Sequence, residues 1–347
     1  MPLGQIAFLG SGETSLAGGR IFEMLARALP QPLRIAILET PAGFELNAGL
    51  VAGRVADFLE KRLRNYTPQV VTVPARKHGT PFSPDDPEIV RPLLTADMIF
   101  LGPGSPTYAV RQLKDSLAWD ILRAKHRLGT TLVFASAATI AAGAWALPVY
   151  EIFKVGEDVH KKPGLDLFAD FGLSLNFIPH WNNAEGGADL DTSRCFMGLD
   201  RFAEWCADLP PGSTTLGLDE HTGLVFDFQE GTCQVSGVSS ASIVRACDSE
   251  IYATGSAFPL SALGAFTLPN PLESGIPAAV WKMAQGASPP GDDAPPLEAL
   301  ALLEAREKAR ADKDWAASDR LREAIASLGW QVQDTPDGQK LVRRAGC

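Results

Sequence analysis

The chain has 347 residues, too many for one average domain and a natural length for two. Hydrophobic residues make up 46% and charged residues 21%, an ordinary globular balance, while 31 basic against 41 acidic residues leave a net charge of −10. Such a surface disfavours nonspecific attraction to nucleic acid or anionic lipid, although it leaves room for a local basic face.

The N-terminus, M-P-L-G-Q before Ile6, has no basic segment and no long apolar core, so it reads as the approach to a first strand and not as a signal peptide. Nowhere do about 18 apolar residues run together, and no membrane span or membrane partner is expected. Strand-like runs at 5–9, 34–38, 69–73, 98–101 and 131–135 alternate with helical patterns. Phe22, Leu25, Ala26 and Leu29 recur at helical spacing, as do Val51, Val55, Phe58, Leu59 and Leu63; further helices are expected at 87–94, 110–122 and 137–147. Repeated βα units of this length build a parallel sheet, because parallel strands need crossovers and the crossovers are helices. Later runs at 173–179, 214–218, 223–228 and 234–238 read as additions to the same sheet, ending in a hairpin-like region.

Composition then changes. Residues 286–296 read G-A-S-P-P-G-D-D-A-P-P, a stretch with nothing large and apolar to bury, and they are expected to be a linker. Beyond it, 297–310 and 316–328 are rich in Ala, Leu, Glu and Arg and predict two helices, with Asp314 as N-cap and Gly329 as C-cap. Residues 331–333 and 340–342 flank D-T-P-D-G, which predicts a small hairpin. The expected class is therefore α/β, a mostly parallel sheet with helices on both faces, plus a small helical C-terminal module. The expected boundaries are 1–285 for the α/β domain, 286–296 for the linker and 297–347 for the module. Five scattered cysteines (Cys195, Cys206, Cys233, Cys247, Cys347) with no C-x-x-C argue against a disulfide framework or structural zinc, and for the cytoplasm.

The apolar run 131–135 stops at Ser136, and alanines at 137, 138, 141, 142 and 144 follow. A serine on a sharp strand-to-helix turn presents its hydroxyl above the sheet, and small neighbours let the turn close. Ser136 as a mere helix N-cap fits the same residues. His180 follows the apolar run 175–179, and Glu220 follows 215–219. A nucleophilic serine needs a base, and the base needs a carboxylate to hold its tautomer, so each required type stands at the carboxyl end of a strand. Oxyanion donors are expected at the amide of Ala137 and in the glycine-rich turn at Gly104.

These residues resemble the cyanophycinase and dipeptidase E group of serine peptidases, which share the class I glutamine amidotransferase-like fold. The counterparts of that group's motifs read P-G-S-P at 103–106, F-A-S-A-A-T at 134–139, I-P-H-W at 178–181 and G-L-D-E-H-T-G at 217–223, and the resemblance covers residues 5–245. It implies Ser136 as nucleophile, His180 as base, Glu220 as orienting acid, and Gly104 and Ala137 as oxyanion donors; separately, no cofactor is expected. In that fold the turn at Glu13 edges the site, and Glu13, Trp181, Asn182 and Arg194 are the candidate substrate-binding residues. Ala135 and Ala138 stand where the group prefers Thr and Gly, and a methyl at Ala138 fits only where φ is negative. The arginines that hold aspartate in cyanophycinases are replaced by a stretch carrying Glu185, Asp189 and Asp191, with Arg194 and Arg201 the nearby cations. A small neutral or cationic peptide, amide or ester is the expected substrate, and cyanophycin is not.

Residues 302–338 resemble the C-terminal end of bacterial cysteinyl-tRNA synthetases. Arg306, Arg310, Lys313, Asp314, Asp319, Arg322, Asp334, Thr335, Pro336 and Gly338 match, and Ser318 replaces the usual alanine. From 297 to 347 there are nine basic and nine acidic residues, so a tRNA contact and a docking or folding appendage both fit. The synthetase's catalytic signatures are absent. Gly10-Ser11-Gly12 invites a dinucleotide reading, but Ser15 stands at the expected third glycine. His160, His180, Asp189 and Asp191 match no familiar metal spacing, and no metal is expected. His221 is the rival base. The alternative function is an inactive tRNA- or synthetase-associated binding protein, and a metal- or nucleotide-dependent enzyme is a third reading. A homo-oligomer is compatible with the sequence.

Overall fold

The computed structural model describes residues 2–246, 248–269, 275–287, 297–311, 314–328, 330–335 and 338–343. The chain divides into two compact units, Met1–Ala287 and Ser288–Cys347. Residues 288–296 of the expected linker, the expected cap Gly329 and turn residues 336–337 lie outside the described residues.

The first unit is built on five parallel strands: β1 (Ile6–Leu9), β2 (Arg34–Leu38), β3 (Gln69–Val73), β4 (Met98–Leu101) and β5 (Thr131–Ala135). Their order is β1-β5-β4-β2-β3. Crossovers are supplied by α1 (Leu16–Ala26), α2 (Ala48–Arg62), α3 (Pro87–Val90), α4 (Pro106–Leu113) and α5 (Leu117–Arg127), and α6 (Ala137–Ala141) leaves β5. Alternation along the strands divides the core into two faces. Ala7, Leu9, Ile35 and Ile37 pack with Phe22 of α1 and Leu59 of α2, while Ile6, Phe8, Ala36 and Leu38 pack with Leu113 of α4 and Leu122 of α5. The expected helix at 110–122 is two helices, because Asp115 takes φ 59° and Ser116 starts a new helix by accepting from the Trp119 amide at 3.1 Å. The helix expected over 137–147 ends at Ala141, and β6 (Trp145–Ala146) pairs instead with β7 (Lys162–Pro163).

The later strands correct the expectation of a single sheet. β8 (Leu175–Ile178), β9 (Thr214–Leu218), β12 (Ser240–Arg245) and β13 (Asp248–Ala253) form a separate four-stranded sheet in the order β13-β12-β9-β8. The antiparallel strands β10 (Thr222–Asp227), β11 (Thr232–Gly237) and β14 (Ala257–Pro259) extend the first sheet beyond β1. The physical reason is an aromatic layer. Phe8 of β1 stacks on Phe177 of β8 at 4.0 Å between ring centroids and on Phe134 of β5 at 5.3 Å, so the second sheet lies against one face of the first. Adding β8 to the first sheet's edge would leave those rings in water. Downstream of β14, α7 (Ser193–Phe196) and α8 (Gly198–Ala207) having already closed the β8–β9 connection, α9 (Ala278–Gly286) ends the unit.

In the second unit α10 (Leu297–Ala311) and α11 (Trp315–Ser327) pack on a hairpin of β15 (Trp330–Thr335) and β16 (Gly338–Arg343). Ala299, Ile325, Trp330 and Val332 form its core, and Asp314 caps α11 by accepting from the Ala317 amide at 2.9 Å. Arg306 is buried there and hydrogen-bonds Gln339.

Candidate active site

The chain crosses from the second sheet to the first between β9 and β10, and the crossing is where the candidate residues meet. Gly10, at the end of β1, accepts from the His180 amide at 3.1 Å and donates to the Thr222 carbonyl at 2.8 Å. A side chain at Gly10 would lie 2.2 Å from the Asp219 carbonyl oxygen. The first glycine of the Gly10-Ser11-Gly12 turn is thus explained by close backbone approach, with no nucleotide required.

Ser136 follows β5 with φ 51° and ψ −115°, outside the regions an L-residue prefers. It stands at the N-cap position of α6 but makes no capping hydrogen bond. Its Oγ instead lies 3.1 Å from His180 Nε2. The capping reading therefore lacks its hydrogen bond. Ala138 keeps a negative φ, so its methyl fits where the resembled group has glycine.

His180 follows β8 with φ 50°. Its Nδ1 is 3.0 Å from Glu220 Oε1, an oxygen that also accepts from Asn183 Nδ2 at 3.1 Å. The Glu220 amide donates to Asn182 Oδ1 at 2.8 Å, and Asp219 beside it accepts from both Ser239 and Ser240 hydroxyls at 2.7 Å. Burial by itself raises the Glu220 carboxyl, but the hydrogen bonds from His180 and Asn183 outweigh it and hold the group below the ordinary carboxylate range. With Nδ1–H donated to an ionised carboxylate, Nε2 carries the lone pair that faces the serine hydroxyl.

The second donor loop meets the site at Gly104. This residue has φ 146°, and a side chain there would lie 1.9 Å from the Pro41 carbonyl oxygen. That same oxygen accepts from the Ser105 amide at 2.9 Å, so the loop is pinned against Pro41. Gly104, Ser136, Ala137 and His180 line one cleft of about 410 Å³. Ala137 is the first residue of α6, and the first amides of a helix have no intrahelical acceptor.

The remaining candidates have other partners. Trp181 is buried, edge-on to Phe202 at 5.0 Å, and Arg194 lies over its ring at 3.9 Å while donating to its carbonyl at 3.0 Å. Neither lines the cleft, nor do Asn182 and Glu13. Asn182 supports the Glu220 backbone, and Glu13 sits half-buried in the turn before α1. His221, the rival base, has φ 58°, donates its amide to Ser11 Oγ at 3.1 Å and packs its ring against Gly12. It does not line the cleft that holds Ser136. Among the described residues, no group of three His, Cys, Asp or Glu side chains is placed to hold a metal, and no helix is long and apolar enough to cross a membrane.

Sequence reasoning missed Asn183, although it adjoins Asn182, and it missed the cleft wall. Phe153 and Lys154 come from a wide helical turn at Glu151–Val155, and Cys195 and Phe196 from α7. The Cys195 thiol is pushed up to about 12 by burial, with the Glu220 charge adding to the effect, so it stays protonated.

Comparison with known proteins divides along the same line as the two units. A solved peptidase from an acI-B1 Actinobacterium matches 74% of this chain and 97% of its own, with 20% identity and a TM-score of 0.59. The family model of the cysteinyl-tRNA ligase anticodon binding domain matches residues 292–341. Cysteine–tRNA ligase 1 of Burkholderia lata is 56% identical over 50 residues, 14% of this chain and 11% of the relative. The cysteine–tRNA ligase of Methanosarcina mazei is 51% identical over 53 residues, 15% of this chain and again 11% of the relative. The chain thus spans about a tenth of the length of these ligases. It joins a peptidase-like α/β fold to a C-terminal module like that of cysteinyl-tRNA ligases.

Proposed function

We propose that the chain is a serine hydrolase acting on a small peptide, amide or ester, through Ser136, His180 and Glu220. The observation that carries this reading is a serine at a strained strand-to-helix turn, its hydroxyl making no capping bond to the helix and lying 3.1 Å from an imidazole that is itself 3.0 Å from a carboxylate. Ser136 Oγ attacks the carbonyl carbon while its proton moves to His180 Nε2. Glu220 stabilises the imidazolium, and the Gly104 and Ala137 amides donate to the oxyanion. His180 then gives the proton to the leaving nitrogen or oxygen as the carbonyl–leaving-group bond breaks. Water attacks the acyl-serine by the same route, with His180 taking its proton and returning it to Oγ. With this reading the hydrolase occupies the first unit through Ala287, so Gly286, which closes α9, belongs to it and not to the expected linker, and the module follows at 297–347, in the cytoplasm.

The test is steady-state hydrolysis of p-nitrophenyl acetate. Ser136→Ala should lower kcat/KM by about 10⁴-fold or more. Equal rates for the two proteins would reject the assignment.

A second reading is favoured by the match at residues 292–341 to an anticodon-binding family: the module contacts tRNA. With equal numbers of basic and acidic residues from 297 to 347, the contact rests on a few phosphates and weakens steeply with salt. Gel-shift titration with bulk tRNA at low and moderate salt decides it; no shift at low salt removes this reading.

A further inference from the structure

We infer that the cleft selects an acyl group with an apolar side chain, of aliphatic or aromatic character, and rejects a carboxylate; this rests on the hydrolase reading above. In the acyl-enzyme, the group bonded to Ser136 Oγ must occupy the space beside that atom, and that space is the cleft. Its lining includes the apolar side chains Ile140, Val149, Phe153, Leu190 and Phe196, with Tyr150 and Thr192 as neutral polar members. Ile140 lies one helical turn beyond Ser136 on α6. Phe196 has its ring 6.2 Å from the His180 ring and 5.3 Å from the Phe153 ring, so an aromatic surface runs outward from the base.

The charges point the same way. Beyond the His180 relay, the lining residues that carry charge are Lys154 and Glu185, opposite in sign and both exposed. The ammonium of Lys154 lies over the Phe153 ring at 5.4 Å, where solvent screens its pull on an anion. Arg194, the cation nearest in sequence to the acidic stretch, is stacked on Trp181 and absent from the lining. A substrate carboxylate drawn into the cleft would lose water and gain no buried counter-charge. An alkyl or aryl group loses only its contact with water.

The experiment uses the full chain and p-nitrophenyl esters of acetate, butyrate and hexanoate, with the succinate monoester as the anionic arm. Burial of each added methylene should raise kcat/KM about fourfold, and the succinate monoester should fall about 100-fold below butyrate. Phe153→Ala and, at the exposed wall, Leu190→Ala should each flatten the dependence of kcat/KM on chain length. A flat or falling dependence in the wild type, or preference for the succinate ester, overturns the inference while Ser136-dependent acetate turnover upholds the hydrolase. No Ser136-dependent turnover of any ester overturns both.

Discussion

The two edges of the parallel sheet carry opposite kinds of structure. At the carboxyl edge Ser136, His180 and His221 hold φ near +50 to +60°, and a cleft opens among Ser136, His180 and Gly104, the last held at φ 146°. At the amino edge the polar groups pair with one another. Arg34 makes two bonds to Asp97 at 2.9 and 2.6 Å, His126 Nε2 donates to the Gly4 carbonyl at 2.8 Å, and Arg127 meets Asp170 at 2.7 Å with its guanidinium over Phe171. The open cleft and the strained serine and histidine therefore share the edge where loops converge, while ion pairs and burial mark the other. Substitutions at the first edge should change rate, and those at the second should change stability.

The largest expected effect sharpens the first half of that contrast. His180→Ala should lower kcat by about 10⁴-fold or more with the far-ultraviolet circular dichroism unchanged. Asp170→Ala tests the other edge. Arg127 is 4% exposed, and removing its partner leaves a buried charge uncompensated, so denaturant titration should show a loss of about 3–5 kcal/mol with kcat/KM of the folded protein intact. Loss of activity without loss of stability in that variant would break the contrast.

Next comes Gly104→Ala. The new methyl meets the Pro41 carbonyl and displaces the turn, and loss of one oxyanion donor should cost about 10²–10³-fold in kcat. The smallest effect concerns pH. Burial holds the His126 imidazole down to about 3 from 6.5. Between those values the unfolded chain binds a proton that the folded chain refuses, so stability is present above pH 6.5 and is lost as pH falls toward 3. The loss between pH 7 and pH 5 should be about 2 kcal/mol, read from denaturation midpoints, and His126→Gln should flatten it.

Much of this was legible because strands and their ends leave local marks. The abrupt stop of an apolar run at Ser136, and the polar residues that follow the runs before His180 and Glu220, placed these side chains at strand ends. Three features were not legible. β8 and β9 are buried on both faces, and a continuous apolar run does not say which sheet it joins; Phe8 and Phe177 decide that only once the layers meet. Arg194 is near the site in sequence, but its planar guanidinium finds the Trp181 face first. The cleft wall comes from a turn at Glu151–Val155 whose spacing matches neither strand nor ordinary helix, so no periodicity marked Phe153.

The most direct test of the account is stoichiometric labelling with a fluorophosphonate, followed by mass spectrometry of the modified peptide. The account predicts one adduct per chain, on Ser136, formed far more slowly in His180→Ala and absent in Ser136→Ala. An adduct on another residue, or equal labelling of the Ser136→Ala protein, would contradict it.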